Sequence, residues 1–353
     1  MNYLTRLFPR KSQPITICRA YSDRKISKRD SSERKKIIIM YSQENKPLVS
    51  LVLPVYGVEN YIEQCAKSMF EQTYSNIEYI FVDDKTQDAS IDKLERVMKD
   101  YPERSKQVNI VRKPKNEGLP QARRTGMEFV HGQYIMHLDS DDWADKDMVS
   151  DMVQEAELHH ADIVYSDYYI NKGANFQEQN LFSNITVKSG IELMKAIFEG
   201  CANGCIWGKM YRNELFKGIE YSKGFVFEDM VMNIQLIPFA SKVVHISKPY
   251  YHYRTFLKPT SIDKLNSALQ NISYIANYIQ EKKLDSLKRA FLQFIERRKM
   301  IYLGRLGLFR TPYSKYLWTL SPKREMSYKS IIKFSGWKGL IRYIIGSAIH
   351  KLP

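Results

Sequence analysis

The sequence has few cysteines and no long apolar run. Its 353 residues include only Cys18, Cys65, Cys201 and Cys205. Their spacing fits neither a disulfide framework nor a zinc site, so we exclude a cysteine-stapled domain and expect a reducing compartment. No apolar run approaches the ~20 residues that a transmembrane helix needs. The N-terminus lacks the apolar core of a secretory signal. Since 44% of the residues are apolar, a packed core is expected.

Positive charge is concentrated at the two ends of the chain. Residues 1–40 hold 11 Lys/Arg and 3 Asp/Glu, and residues 282–353 hold 17 and 3. Residues 41–281 carry a net charge of −7, although the whole chain carries +15. A nucleic-acid-binding domain is typically basic itself, so no nucleic-acid partner is expected. The basic leader faintly resembles a mitochondrial presequence, a disordered segment is the alternative, and Met40 is a second candidate for the true start.

Strand-like and helix-like segments alternate between residues 48 and 169. Apolar runs that end at Tyr56, Val82 and Leu138 predict buried strands, and apolar residues at helical spacing lie between them. This alternation predicts an α/β fold with a mostly parallel sheet covered by helices. The second half of the chain has mainly helical patterns. The predicted divisions are a leader at 1–46, a catalytic domain at 47–262 and a basic helical extension at 263–353.

An acidic tetrapeptide, Asp139-Ser140-Asp141-Asp142, follows the predicted strand that ends at Leu138. Crowded carboxylates repel one another unless a cation or hydrogen-bond donors offset the charge. Carboxylate oxygens suit Mg²⁺ or Mn²⁺, and ligands of open α/β sheets bind beyond the carboxyl ends of the strands. The tetrapeptide is therefore a candidate site for a metal ion and a phosphate.

Three further segments occur in order with the tetrapeptide. They are Leu53-Pro54-Val55-Tyr56, Val82-Asp83-Asp84, and Asn116-Glu117-Gly118 with Ala122-Arg123. Together the four segments resemble the family 2 glycosyltransferases of the GT-A fold, over roughly residues 48–262. Trp207-Gly208-Lys209 and Glu228-Asp229 resemble later landmarks of the same family. One departure is Lys85-Thr86, where the family often has Gly-Ser.

The resemblance implies a GT-A fold with a nucleotide-binding half at 47–145 and an acceptor half at 146–262. It assigns contacts with the donor nucleotide to six residues. These are Pro54, Tyr56, Asp84, Asn116, Arg123 and Asp139. Arg123 either braces the acidic turn or contacts the diphosphate directly, and both alternatives remain open.

The resemblance also implies a metal site and a catalytic base. Asp141 would bind Mn²⁺ or Mg²⁺, with Asp139 on the ribose or on a metal-bound water. Asp142 would contact donor sugar hydroxyls. Asp229 would be the general base, with Glu228 orienting it or contacting the acceptor.

Three aromatic or basic positions are weaker candidates. Trp207 is either a platform for a sugar face or a core tryptophan. His252 is either a further metal ligand or a structural histidine. Arg254 or Lys258 would cover the diphosphate after the donor binds.

The implied activity is inverting transfer of a hexosyl or N-acetylhexosaminyl group from a nucleotide-sugar, with a UDP-sugar favoured, to a glycan or lipid-linked saccharide. The basic, aromatic tail at 297–353 either contacts an anionic membrane or packs on the acidic catalytic body. A cytoplasmic location, peripheral on the inner face of the cell membrane, is therefore expected. The alternatives are a silent GT-A scaffold, a nucleotidyltransferase, and an RNA-binding protein.

Overall fold

A computed structural model of the chain describes residues 46–172, 175–179, 187–255 and 262–299, together with Thr319. The predicted leader, apart from Lys46, and nearly all of the predicted basic tail lie outside these residues. Within the described ranges, no helix has the length and apolarity needed to span a bilayer.

The first half of the described chain alternates strands and helices, as the sequence predicts. Four strands pair in parallel in the order β3-β2-β1-β4, so their carboxyl ends lie along one edge of the sheet. The elements are β1 (Val49–Val55), α1 (Ile62–Phe70), β2 (Ile77–Asp83), α2 (Ser90–Asp100), α3 (Pro102–Ser105), β3 (Val108–Arg112), α4 (Leu119–Met127), β4 (Tyr134–His137), β5 (Trp143–Ala144) and α5 (Met148–His159).

The second half extends the same sheet through antiparallel pairings. β4 pairs with β8, β8 with β6, and β5 with β9, while β6 and β9 are parallel. The elements are β6 (Ile163–Lys172), β7 (Asn175–Gln179), α6 (Gly190–Glu199), β8 (Lys209–Arg212), a 3-10 turn (Asn213–Phe216), α7 (Glu228–Leu236), a second 3-10 turn (Ile237–Phe239), β9 (Val243–Arg254), α8 (Ile262–Glu281) and α9 (Asp285–Lys299).

The sheet is buried on both faces, because helices cover each side. Successive side chains of a strand point to opposite faces, so Leu51 and Leu53 of β1 enter one apolar cluster and Val52 enters the other. The first cluster includes side chains of α1, α2 and α5, and the second includes those of α4 and α6 to α9. The burial of all seven β1 residues explains why its sequence is apolar apart from Ser50, whose hydroxyl bonds to Glu78 and Gly132.

The C-terminal helices belong to this second cluster. Ala268 and Ile272 of α8, and Phe291 and Ile295 of α9, share it with Val52 of the central strand. The helical extension predicted from the sequence is therefore present, and up to Lys299 it is part of the same core as the sheet.

Candidate active site

Most of the predicted site residues lie just beyond the carboxyl ends of the parallel strands. Asp84 follows β2, Asn116 follows β3, and the acidic turn that begins at Asp139 follows β4. Glu228 and Asp229 form the first turn of α7, which lies far along the chain from all of them.

Arg123 joins the acidic turn to α7. Its side chain on α4 is 1% exposed, with one terminal nitrogen 2.7 Å from Oδ1 of Asp229 and the other 2.8 Å from Oδ1 of Asp139. Glu228 lies 4.0 Å from the same guanidinium. Charge-assisted hydrogen bonds of this kind fix the relative positions of groups. The structure therefore supports the bracing alternative for Arg123, since both terminal nitrogens already hold carboxylates.

Burial and mutual repulsion raise the pKa of two of the carboxyl groups beside Arg123. Burial raises the pKa of Asp139 to about 6, against the lowering effect of Arg123. Burial, followed by the charge of Asp229, raises the pKa of Glu228 to about 8. Burial alone would lower the pKa of the Arg123 guanidinium. The surrounding carboxylates have the larger effect, so the pKa is raised. An acidic cluster with one buried cation is typical of a functional site.

The acidic turn can hold a divalent cation. Asp139, Asp141 and Asp142 each place one carboxylate oxygen within 4.8 Å of the other two. Among the described residues, these three form the group that could share one metal ion. Asp142 is 1% exposed, and its Oδ2 is buried without a hydrogen-bond partner. Burial and the charges of Asp141 and Asp139 raise its pKa. Carboxylate oxygens crowded in this way are the ligands that a hard cation such as Mg²⁺ or Mn²⁺ prefers.

Arg254, at the end of β9, supports the turn from the other side. Its backbone N–H donates to Oδ1 of Asp142 at 2.6 Å, and its guanidinium donates to the carbonyl of Asp141 and to Gln64. The guanidinium carbon lies 4.3 Å above the ring of Trp143. These contacts place Arg254 beside the candidate cation site but already engaged by protein groups. Lys258, the other candidate to cover the diphosphate, lies outside the described residues.

Asp84 is held by a partner that the sequence analysis missed. Nζ of Lys113 lies 2.6 Å from Oδ1 of Asp84, and both side chains are buried. The same carboxylate accepts backbone hydrogen bonds from Glu117 at 3.1 Å and Gly118 at 2.8 Å. Asn116 also accepts from the N–H of Gly118 at 3.0 Å. Asp84 therefore shapes the loop after β3, and the only sequence signal for Lys113 is its position just after a strand.

The two residues at the end of β1 differ in accessibility. Pro54 is buried and its carbonyl accepts a hydrogen bond from Ser140 at 2.5 Å. This contact anchors the acidic turn to β1, and contact of Pro54 with the nucleotide stays a prediction. Tyr56, in contrast, is 52% exposed at the sheet edge, where its ring is open to a ligand.

Trp207 packs in the core, which is the second of its two predicted alternatives. It is 2% exposed and stacks against Tyr251 at 4.6 Å and Tyr253 at 5.0 Å between ring centroids. Asp142 was likewise expected to contact sugar hydroxyls, but its side chain is buried beneath the turn.

His252 is placed as a structural histidine rather than a metal ligand. Its Nε2 lies 3.0 Å from Oδ1 of Asp145, and its ring stacks between Trp143 and Tyr169. It is not a member of the carboxylate group that could share an ion.

The sheet, with carboxylates at the carboxyl ends of its parallel strands and in the first turn of α7, has the organisation that the resemblance to GT-A glycosyltransferases implies. Comparison with known proteins gives the family. The model of the family described as Glycosyl transferase family 2 matches residues 50–219. The sequence motifs indicate the same family, and the model covers just under half of the chain.

Relatives and solved structures agree with the family. Glycosyltransferase GlyA of Streptococcus pneumoniae is 30% identical over 218 residues, which cover 58% of this chain and 30% of GlyA. The putative glycosyltransferase EpsH of Bacillus subtilis is 31% identical over 222 residues, covering 60% of this chain and 62% of EpsH. A structure of S. aureus TarS residues 1–349 with UDP-GlcNAc is similar in fold, with a TM-score of 0.67 and 17% identity. The match covers 85% of this chain and 90% of that TarS fragment. The chain thus spans less than two thirds of GlyA and of EpsH.

Proposed function

We propose that this chain transfers a sugar from a nucleotide-diphospho-sugar to a hydroxyl of a glycan or lipid-linked saccharide, with inversion at the anomeric carbon. The observation that carries the proposal is the buried Arg123, which holds the first Asp of the acidic turn and Asp229 of α7 on one guanidinium. Asp139, on the side proposed for the diphosphate, and Asp229, the proposed base, would thereby be held in one site, as a direct displacement requires.

In the proposed reaction, Asp229 accepts the proton of the acceptor hydroxyl as that oxygen attacks the anomeric carbon. Positioned bases of this kind typically contribute about 10²–10⁴-fold to the rate. Glu228, whose pKa burial raises to about 8, is then protonated at neutral pH and is suited to donate a hydrogen bond. Arg123 keeps the carboxylate of Asp229 oriented through the 2.7 Å contact.

Asp139 and Asp141 would hold the divalent cation. When bound, such a cation stabilises the negative charge that develops on the departing diphosphate. Arg254 and Ser140 keep the turn in place through the Asp141 carbonyl and the Pro54 carbonyl. Mn²⁺ and Mg²⁺ are both compatible with carboxylate ligands.

A UDP-sugar is the favoured donor. The exposed ring of Tyr56 can stack on a nucleobase, and the buried Asp84 fixes the adjoining loop. The structural neighbour TarS was solved with UDP-GlcNAc. These observations support a hexosyl or N-acetylhexosaminyl donor. A cytoplasmic location with peripheral contact to the inner membrane face, through the basic tail, is part of the same proposal.

The test is the variant Asp229→Asn, which keeps an oxygen for Arg123 but cannot take a proton. We expect transfer from the accepted nucleotide-sugar to fall at least 100-fold, while donor binding in calorimetry stays unchanged. Asp285→Asn is the matched control, since its side chain is 71% exposed on α9. Turnover equal to that of the unmodified chain would remove Asp229 as the base.

The same assay separates the alternatives. A silent scaffold would bind a nucleotide-sugar without hydrolysis or transfer, for both the unmodified chain and the variant. A nucleotidyltransferase would release pyrophosphate from a nucleoside triphosphate and a sugar phosphate. Glycosyl transfer releases a nucleoside diphosphate instead.

A further inference from the structure

The segment Tyr221–Phe227, which leads into the first turn of α7, is fixed by side chains of α8. The hydroxyl oxygen of Ser267 accepts hydrogen bonds from the backbone N–H groups of Phe225, at 2.8 Å, and Val226, at 2.9 Å. One turn further along α8, the amide of Asn271 donates to the carbonyl of Val226 at 2.7 Å. Ser267 and Asn271 are both about 5% exposed or less. Three consecutive backbone groups of this segment are therefore held by buried side chains.

The rest of the segment is held as closely. Ser222 donates to Oδ1 of Asn271 at 2.6 Å, and its carbonyl accepts from Gln121 of α4 at 3.1 Å. A Cβ on Gly224 would lie 2.6 Å from the hydroxyl oxygen of Ser267. Only a glycine lets the backbone approach α8 at this distance without displacing a neighbour. The segment is consequently preorganised before any ligand arrives.

This fixed backbone presents one large apolar side chain to solvent. Phe225 is 52% exposed, and the other large hydrophobic residues with comparable exposure in the described chain are Tyr56 and Phe239. A single exposed phenylalanine usually needs no explanation. Phe225 differs because its backbone is held rigidly and because it lies three residues before Glu228. That separation spans at most about 11 Å of chain.

The position of Phe225 assigns it to the acceptor. One terminal nitrogen of Arg123 bonds to Asp139 of the acidic turn, and the other bonds to Asp229 of α7. The base accepts its proton from the acceptor hydroxyl, so the acceptor must lie beside Asp229 in the first turn of α7. Phe225 lies just before that turn. Tyr56, in contrast, follows β1 at the edge of the sheet where the proposed nucleotide site lies.

We propose that Phe225 is the platform against which a sugar ring of the acceptor stacks, and that Ser267 and Asn271 are positioning residues for it. This inference rests on the proposed function and deepens it, because it names the residue that would hold the sugar ring of the acceptor. A rigid aromatic surface lowers the ordering cost of binding a weakly held ligand.

The experiment compares Phe225→Ala with Phe225→Trp and with Phe239→Ala, the same change at an exposed phenylalanine elsewhere. Saturation-transfer NMR with a panel of octyl β-hexosides reports contact with sugar protons, and kinetics with UDP-hexoses report turnover. We expect Phe225→Ala to lose the sugar-proton signals and to raise the acceptor KM about tenfold, which corresponds to about 1.4 kcal/mol. Donor KM and acceptor-independent donor hydrolysis should stay unchanged. The Trp variant should retain saccharide contact, as should Phe239→Ala.

The positioning role is tested on α8. Ser267→Ala should raise the acceptor KM and leave donor hydrolysis unchanged. Ser273→Ala is the control, because the hydroxyl of Ser273 donates to the carbonyl of Leu269 on the same helix, and this variant should change neither quantity. Absence of saccharide signals with the unmodified chain, or equal signals with Phe225→Ala, would overturn the inference. If the unmodified chain shows saccharide contact that depends on Phe225 but no turnover with any UDP-hexose, the proposed function is overturned instead.

Discussion

Arg123 is the residue on which the candidate site depends most. It is nearly fully buried, and two carboxylates from distant parts of the chain bond to its two terminal nitrogens. Removing one member of a buried ion pair leaves the other charges uncompensated. Arg123 thus joins two separate acidic segments, the turn at Asp139 and the first turn of α7, in a fixed geometry.

The metal assignment predicts the behaviour of Asp141→Ala. Because a carboxylate of the acidic turn is removed, we expect Mn²⁺-dependent binding of a nucleoside diphosphate (UDP, GDP or dTDP) to be lost in calorimetry. Metal-independent binding, measured with a chelator, should be unchanged. Asp92→Ala, at an exposed position of α2, is the control. Affinity equal to that of the unmodified chain in Mn²⁺ would contradict the assignment.

Lys209 predicts a pH dependence of stability. Its Nζ is buried and donates to the carbonyls of Asn203 at 3.0 Å and Cys205 at 2.5 Å. Burial lowers its pKa from 10.5 to about 8. Between these values the unfolded chain binds more protons than the folded one, so the free energy of unfolding should rise with pH, by up to about 3 kcal/mol.

Urea unfolding between pH 8 and 10 tests this expectation. The contribution of Lys209 is absent below pH 8, where both states are protonated, and it grows towards pH 10. Lys209→Met should flatten the dependence in this interval, whereas Lys217→Met, at an exposed position, should retain it. An equal slope in all three proteins would refute the assignment to Lys209.

At the scale of elements, α6 is placed by a close backbone contact. Gly190 begins the helix, and a Cβ there would lie 1.6 Å from the carbonyl oxygen of Ile237. Its N–H also donates to the carbonyl of Ala240 at 2.9 Å. The start of α6 therefore rests directly on the turn that follows α7, the helix carrying the candidate base.

Gly190→Ala should destabilise the protein, since the turn after α7 must move to admit a methyl group. We expect a loss of about 3 kcal/mol in the free energy of unfolding, the upper range for overpacking. Ser189→Ala, which removes the capping box at the neighbouring position, should cost about 1 kcal/mol. Urea unfolding measures both, and a smaller loss for Gly190→Ala than for Ser189→Ala would show that the contact is easily relieved.

At the scale of the whole molecule, one apolar cluster joins the central sheet to the last two helices. Phe198 of α6 meets Phe291 and Phe294 of α9 at 5.3 and 5.7 Å between ring centroids. The family match ends at residue 219, yet α7, α8 and α9 complete the layer that supports the candidate base.

Truncation tests this dependence. A chain that ends at Thr255 lacks α8 and α9, so it should expose the apolar faces of α6 and α7, bind a hydrophobic dye and lose cooperative unfolding. A chain that ends at Lys299 keeps both helices and should unfold in a single transition. Identical denaturation midpoints for the two truncated chains would contradict a shared core.

The sequence determined the alternating strands and helices of the first half, because continuous apolar runs and helical periodicity are local signals. It also identified Asp139, Asp141 and Asp229 as candidates, through residue types that occur in short motifs. It did not reveal β5 or β8, which span two and four residues and are too short to show a period.

Only the tertiary structure decided how these residues meet. The pairing of Arg123 with Asp229, which lie 106 residues apart, and of Lys113 with Asp84, depends on chain crossovers that no local pattern encodes. The same holds for Trp207, which packs in the core although its sequence context suited a sugar platform. Local propensity sets the elements, whereas burial and long-range contacts set which side chains face the cleft.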